Sequence, residues 1–275
     1  MMNGRIARWS GLGMIAVGLA SVIGGLVWVF AGAAAGERQP AASPSPGPAT
    51  VVARQPQAGP IPETGSSGPE TGSGSPGTQS GTPESRSATP ATGSDSLAAW
   101  AAGVSATTDI PARALQGYGY AQIVLQSESP GCHLEWNTLA GIGMVESDQG
   151  RDGGAALAAD GTETKPVIGP ALNGSDGNRD LPAADHGLLT GDSVYDHAVG
   201  PMQLLPETWY QYADPGTDPQ NIDAAAIAAG RYLCAGGRDL ATASGWWTAI
   251  FAYNQSTSYG DLVFHYADAY ATDSQ

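Results

Sequence analysis

The chain has 275 residues and a formal net charge of −15, with a single lysine, Lys165. Nucleic-acid binding needs clustered basic residues to neutralise phosphates, and no such cluster exists here, so that class is excluded. A ligand held by hydrogen bonds and stacking suits this composition better than a polyanion does. In chain order, residues 10–36 come first: uncharged and mostly apolar, longer than the ~20 residues that cross a bilayer. Arg5 and Arg8 precede the run and Glu37 follows, which orients the N-terminus inward and the remainder outward. The small residues of Phe30-Ala31-Gly32-Ala33-Ala34-Ala35-Gly36 also suit a signal peptidase, so residues 1–36 read as an uncleaved anchor or a cleaved signal peptide. No cysteine follows the run, which argues against a lipid-anchored form.

Residues 37–95 are Pro, Gly, Ser, Thr and Ala with few large apolar side chains, as in Pro60-Ile61-Pro62-Glu63-Thr64-Gly65. Such a stretch buries too little surface to offset its chain entropy and is expected to be a disordered linker, with a mean reach on the order of 45 Å. Residues 96–275 then form one domain of ordinary size. Within it, residues 96–102 begin a short helix capped by Asp95 or Ser96. Pro111 marks the start of a second helix, running to about Gln126, and Ser129-Pro130-Gly131 breaks the chain. A third helix covers 136–147. Residues 148–196 are dense in Gly, Asp, Asn and Pro, as in Asn173-Gly174-Ser175-Asp176-Gly177, and are expected to be a long irregular loop lining a cleft. Helical patterns return at 202–212, at 221–237 with Asn221 as cap and Gly236-Gly237 as stop, at 240–253, and in a short final helix from Tyr259. No period-two alternation or hairpin signal stands out, so the class is mainly α, with at most a small β element in the loop region.

Three windows carry the chemistry. In Trp136-Asn137-Thr138-Leu139-Ala140-Gly141-Ile142-Gly143-Met144-Val145-Glu146-Ser147 one acid shares a helical face with Leu139 and Ile142. An apolar stripe raises a carboxyl pKa, and a helix C-terminus favours the neutral form further. A carboxylic acid that keeps its proton near neutral pH is what glycosidic bond cleavage requires; an exposed Glu closing a helix is the bland alternative. The second window, Ala198-Val199-Gly200-Pro201-Met202-Gln203-Leu204-Leu205-Pro206, reads as Gly-Pro opening a helix with free N–H groups and Gln203 as donor and acceptor. The third, Tyr253-Asn254-Gln255-Ser256-Thr257-Ser258-Tyr259, ends an aromatic-rich helix with polar side chains suited to sugar hydroxyls. Cys132 and Cys234, outside the membrane, either form one disulfide or stay as two free buried thiols.

The order and content of these windows resemble the lytic transglycosylases of the lysozyme-like superfamily, in particular the membrane-bound type B and its actinobacterial relatives. Those show an acid followed by Ser at the end of an apolar helix, then Ala-x-Gly-x-x-Gln-x-x-Pro, then Tyr-Asn-x-Ser-x-x-Tyr. The helix at Asn221 to Gly237 also looks like the family's connecting helix, and the likeness spans residues 96 to about 269. It implies a lysozyme-like domain acting on peptidoglycan glycan strands outside the cytoplasm; the expectation is a monomer that reaches the membrane through its N-terminal segment, with no cofactor, metal or nucleic acid. Glu146 is implied as sole acid/base in cleaving the β-1,4 bond between N-acetylmuramic acid and N-acetylglucosamine, leaving a 1,6-anhydro end. Gln203, Tyr253, Asn254 and Tyr259 are implied to orient the sugar and Glu146, and Ser147 and Met202 to shape the site. A hydrolytic muramidase and a non-catalytic wall-binding module are the alternatives.

The chain departs from the pattern at His197 and at Glu207-Thr208, and Ala213-Asp214-Pro215-Gly216-Thr217-Asp218-Pro219 is too short for a calcium loop. A second carboxylate for hydrolysis would come from Asp148, Asp152, Asp192 or Asp196, none tied to Glu146 by a motif. Gly141-Ile142-Gly143 sits within a helix and reads as close packing, not a dinucleotide loop. His133, His186, His197 and His265 lack zinc-site spacing, and Asp185-His186 is a weak triad signal.

Overall fold

The computed structural model describes Ile61 and residues 93–275. The expected N-terminal apolar segment and most of the expected linker lie outside the described residues. Among the described residues no helix is long and apolar enough to cross a membrane. Ile61 belongs to the linker by sequence, yet it is only 9 % exposed and joins the main apolar cluster.

Seven α-helices form among the described residues: α1 (Gly93–Thr108), α2 (Ala112–Glu128), α3 (Trp136–Ser147), α4 (Pro206–Tyr212), α5 (Ile222–Cys234), α6 (Ala243–Tyr253) and α7 (Thr257–Asp273). No strand occurs among them, only isolated antiparallel bridges, so the mainly α class holds. α1 is a 16-residue helix with Asp95 in its first turn where a cap was expected. Its apolar residues continue past 102, with Ala101 and Val104 buried. Further corrections follow from capping. Thr242 accepts a hydrogen bond from Gly245 N and starts α6 at Ala243, later than 240. Ser256 accepts from Tyr259 N and starts a long α7 where a short helix was expected. Asn221 caps α5 as its residue type predicts, accepting from Asp223 N and Ala224 N.

The core forms around α3, which packs chiefly against α7 and α2, while α5 packs against α2. Trp136, Leu139 and Ile142 of α3 are almost fully buried, as are Tyr118 of α2, Ile222 and Leu233 of α5 and Trp246 of α6. Two glycines in α3 cost it roughly 1 kcal/mol each in helix propensity. Packing explains them. A Cβ at Gly141 would lie 2.7 Å from the Val263 carbonyl of α7, and a Cβ at Gly143 would collide with the Tyr118 hydroxyl. Gly141-Ile142-Gly143 is thus a seat for neighbouring helices.

Buried polar groups stitch these helices together. Trp246 Nε1 donates to Thr138 Oγ1 at 3.1 Å and Asn137 Nδ2 to the Ala267 carbonyl at 3.0 Å. Tyr118 donates to Gln149 Oε1 at 2.6 Å, and Gln149 Nε2 donates to the Ala140 carbonyl and Tyr270 Oη. Cys132 and Cys234 form a disulfide across a sequence separation of 102, so the alternative of free thiols is set aside. In the chain-entropy model a closed loop of that length is worth about 4–5 kcal/mol.

Residues 148–196 are irregular, as expected, and the irregular stretch continues to 205, where a helix was expected from 202; together they form a lobe of turns. Its apolar nucleus is small: Leu172, Ala198 and Leu205, flanked by Leu181. The small β element allowed for in the loop region takes the form of isolated bridges. A hairpin-like turn does exist at Asp160-Gly161, where Ala158 N donates to Thr162 O and Leu157 pairs with Glu163; it is too short to produce the alternation that would announce it.

Candidate active site

The C-terminal end of α3 carries Glu146 and Ser147 into the middle of the molecule. The helix stops because Asp148 takes a left-handed conformation (φ 51°), with its N–H returning to the Gly143 and Met144 carbonyls. Glu146 is partly exposed, whereas Ser147 is 2 % exposed. Tyr259, from the first turns of α7, donates its hydroxyl to Glu146 Oε1 at 2.6 Å. Burial pushes the Glu146 carboxyl up to about 7, and the Tyr259 hydrogen bond opposes that rise. Tyr259 and Tyr253 both rise well above the usual tyrosine value, through burial first and the Glu146 charge second. Both remain hydrogen-bond donors throughout the working range.

The second window differs from its expected form. Residues 199–204 make a tight turn, and the helix starts only at Pro206. Val199 and Leu204 exchange backbone hydrogen bonds, Gly200 N donates to the Val167 carbonyl, and Gln203 N donates to the Gly200 carbonyl. The N–H groups of Val199, Gly200, Gln203 and Leu204 are therefore spent on backbone carbonyls. Gly200 (φ 74°) is required, because a Cβ would overlap the Pro219 carbonyl. Proline at 206 sets the helix start at its own position, the favoured place for a residue without an N–H.

Carbonyls take the role the amides do not. Ser147 Oγ donates to the Pro201 carbonyl at 2.6 Å, and Tyr253 Oη donates to the Met202 carbonyl at 2.6 Å. These two bonds join the turn to α3 on one side and to the end of α6 on the other. Met202 is fully buried beneath them. Gln203 is left partly exposed at the turn's tip with φ 45°, its Nε2 on the Gly200 carbonyl. Asn254 closes α6 as its C-terminal cap and is 4 % exposed; its Oδ1 accepts from Ser256 N at 3.1 Å.

All three sequence windows therefore converge. Glu146, Gln203 and Tyr259 carry the polar groups that can meet a ligand or the acid itself. Ser147, Met202, Tyr253 and Asn254 build the frame that sets their positions.

The four aspartates considered as a second carboxylate are placed elsewhere or engaged. Asp148 pairs with Arg151 at 2.7 Å and Asp152 is exposed. Asp192 accepts from Val194 N and meets His197 Nε2 at 3.1 Å; the His197 ring holds its carboxyl below the usual range. Asp196 is buried and accepts from Ala184 N, with burial raising its pKa. Asp185 accepts from Gly187 N, Leu189 N and Tyr210 Oη, so it organises a turn and has no triad role with His186. Among the described residues no group of three metal-ligating side chains gathers.

One acid escaped the sequence reading. Glu163 is 8 % exposed with no partner on either oxygen. The Asp160-Gly161 turn was the available signal, because it sets Leu157 opposite Glu163 and so turns that side chain inward.

Searches of protein-family models, of curated proteins and of solved structures each found no match to the chain.

Proposed function

We propose that this protein is a peptidoglycan lytic transglycosylase with a lysozyme-like catalytic domain. The observation that carries the reading is Glu146 itself: a carboxyl at the end of a buried helix, pushed up to about 7 and bonded by Tyr259 at 2.6 Å. Such a group holds a proton at neutral pH and can both give it and take it back.

In the proposed reaction, protonated Glu146 donates to the glycosidic oxygen as the C1–O4 bond of the muramoyl residue breaks. Positive charge develops at C1 and the ring oxygen, and the substrate's acetamido group stabilises it. The resulting Glu146 carboxylate accepts the proton of the C6 hydroxyl of the same sugar. Its oxygen attacks C1 and closes the 1,6-anhydro ring. The proton returns to Glu146, so the enzyme is regenerated and no water is consumed. Tyr259 keeps the carboxyl oriented through both transfers, and Gln203 offers an amide to the sugar. One acid serving twice agrees with the engagement of Asp148, Asp192 and Asp196 in other bonds. In this reading the domain works outside the cytoplasm on glycan strands, as a monomer, tethered or secreted by the N-terminal apolar segment.

Mass analysis of soluble fragments from purified cell wall tests the proposal. Anhydromuramoyl ends are expected, and Glu146→Gln is expected to lower their release by at least about 100-fold without loss of fold. Turnover should fall as pH rises through about 7, where Glu146 loses its proton. Reducing ends would assign a hydrolytic muramidase, and unchanged turnover by Glu146→Gln would overturn the role of Glu146. Wall binding without any cleavage would assign a binding module.

A further inference from the structure

A second buried acid lies behind α3 and takes no part in that chemistry. The main chain of Glu163 is fixed by its N–H, which donates to the Gln220 carbonyl at 3.0 Å, and by its pairing with Leu157. Its side chain points inward, where neither oxygen has a hydrogen-bond partner. Its Oε1 occupies the space that a Cβ at Gly150 would need, and Leu157 Cδ2 lies 3.4 Å from the same point. Gly150 N cannot serve the carboxyl, because it donates to Ser147 Oγ at 2.8 Å.

The charged and titratable groups around Glu163 are committed elsewhere. Tyr118 of α2, which feels the Glu163 charge, gives its hydroxyl to Gln149. Arg151, which follows Gly150, binds the Asp148 carboxylate and the Asp148 and Asp109 carbonyls. Arg113, beside the Asp160-Gly161 turn, binds Asp223 and the Ala159 and Asp160 carbonyls. Among the described residues no cation pairs with the carboxylate, and a buried unpaired charge is strongly disfavoured.

We propose that Glu163 is a protonation-controlled latch: its uncharged carboxyl packs under Gly150 and pins residues 148–164 behind the end of α3, and loss of the proton loosens them. The pinned segment is wired to the site, since Ser147 Oγ accepts from Gly150 N and donates to the Pro201 carbonyl. The latch is independent of the reaction assigned to Glu146 and holds whatever that site does. It makes the protein firmest in mildly acidic surroundings.

Burial pushes the Glu163 carboxyl from 4.5 up to about 7. Below that lower value folded and unfolded chains both hold the proton, and stability does not change with pH through Glu163. Between the two values the unfolded chain releases its proton first, so stability falls as pH rises and reaches its lower level above about 7. Glu146 and Asp196 contribute with the same sign; Glu146 is silenced for the test, and Asp196 is present in every chain compared, so the readout is the slope that the Glu163 substitutions remove.

The experiment is thermal unfolding of the full chain carrying Glu146→Gln, from about pH 4.5 to about pH 8, compared with the same chain also carrying Glu163→Gln or Glu163→Met. The parent is expected to lose roughly 5 °C in Tm across that range, and both double variants to lose little of it. At about pH 8 they should melt above the parent. Amide exchange at Gly150 and Arg151 should accelerate with pH beyond its intrinsic rate in the parent and not in the double variants. A slope that survives in both double variants, or a lower Tm for both at alkaline pH, overturns the latch.

Discussion

The helical shell and the lobe at 148–205 are held together by different means. The shell buries tryptophan, leucine and isoleucine side chains in one apolar cluster and closes it with a disulfide. The lobe's own apolar cluster holds only Leu172, Ala198 and Leu205, and the lobe relies on carboxylates that accept backbone N–H groups, as at Asp185 and Asp192. Apolar burial is non-directional and shared among many residues, whereas each turn bond is local and serves a few residues. The site stands at the seam: the shell supplies Glu146 and Tyr259, and the lobe supplies the turn with Gln203.

The contrast has measurable consequences. Replacing Cys132 and Cys234 with serine is expected to cost about 4 kcal/mol of global stability, read as one cooperative drop in Tm. Gly143→Ala should cost about 2–3 kcal/mol, because the new methyl displaces the Tyr118 hydroxyl and with it the bond to Gln149. Chemical denaturation measures it, and a near-neutral result would mean that the α2–α3 seat is loose. Asp185→Asn is expected to cost about 1 kcal/mol, with faster amide exchange at Gly187 and Leu189 and little change in global Tm. A cooperative collapse in that variant would erase the distinction between shell and lobe, since it would make the lobe's turn bonds part of the global fold.

Legibility followed range. The bounds of α3, the cap at Asn221 and the irregular lobe could be read locally, because periodicity and capping act within a few residues. The 199–204 turn was misread as a helix start: its Gly-Pro pair suits either, and its partners, Val167 and Pro219, are remote in sequence. The fold brings the three windows together, but which of their residues face outward and which build the frame was hidden. Nothing local in Met202 says that it is fully buried, or that Tyr253 spends its hydroxyl on the Met202 carbonyl.

The amino-acid order alone determined that one acid rides an apolar helix end, that the class is mainly helical, and which two thiols exist to pair. Tertiary structure decided which donor meets that acid, since Tyr259 lies 113 residues further along the chain. It also decided that Glu163 is enclosed without a partner. Hydrophobic patterning sets which face of an element turns inward, but the electrostatic environment of a single carboxyl depends on atoms a few ångströms away, and in a folded chain those come from anywhere.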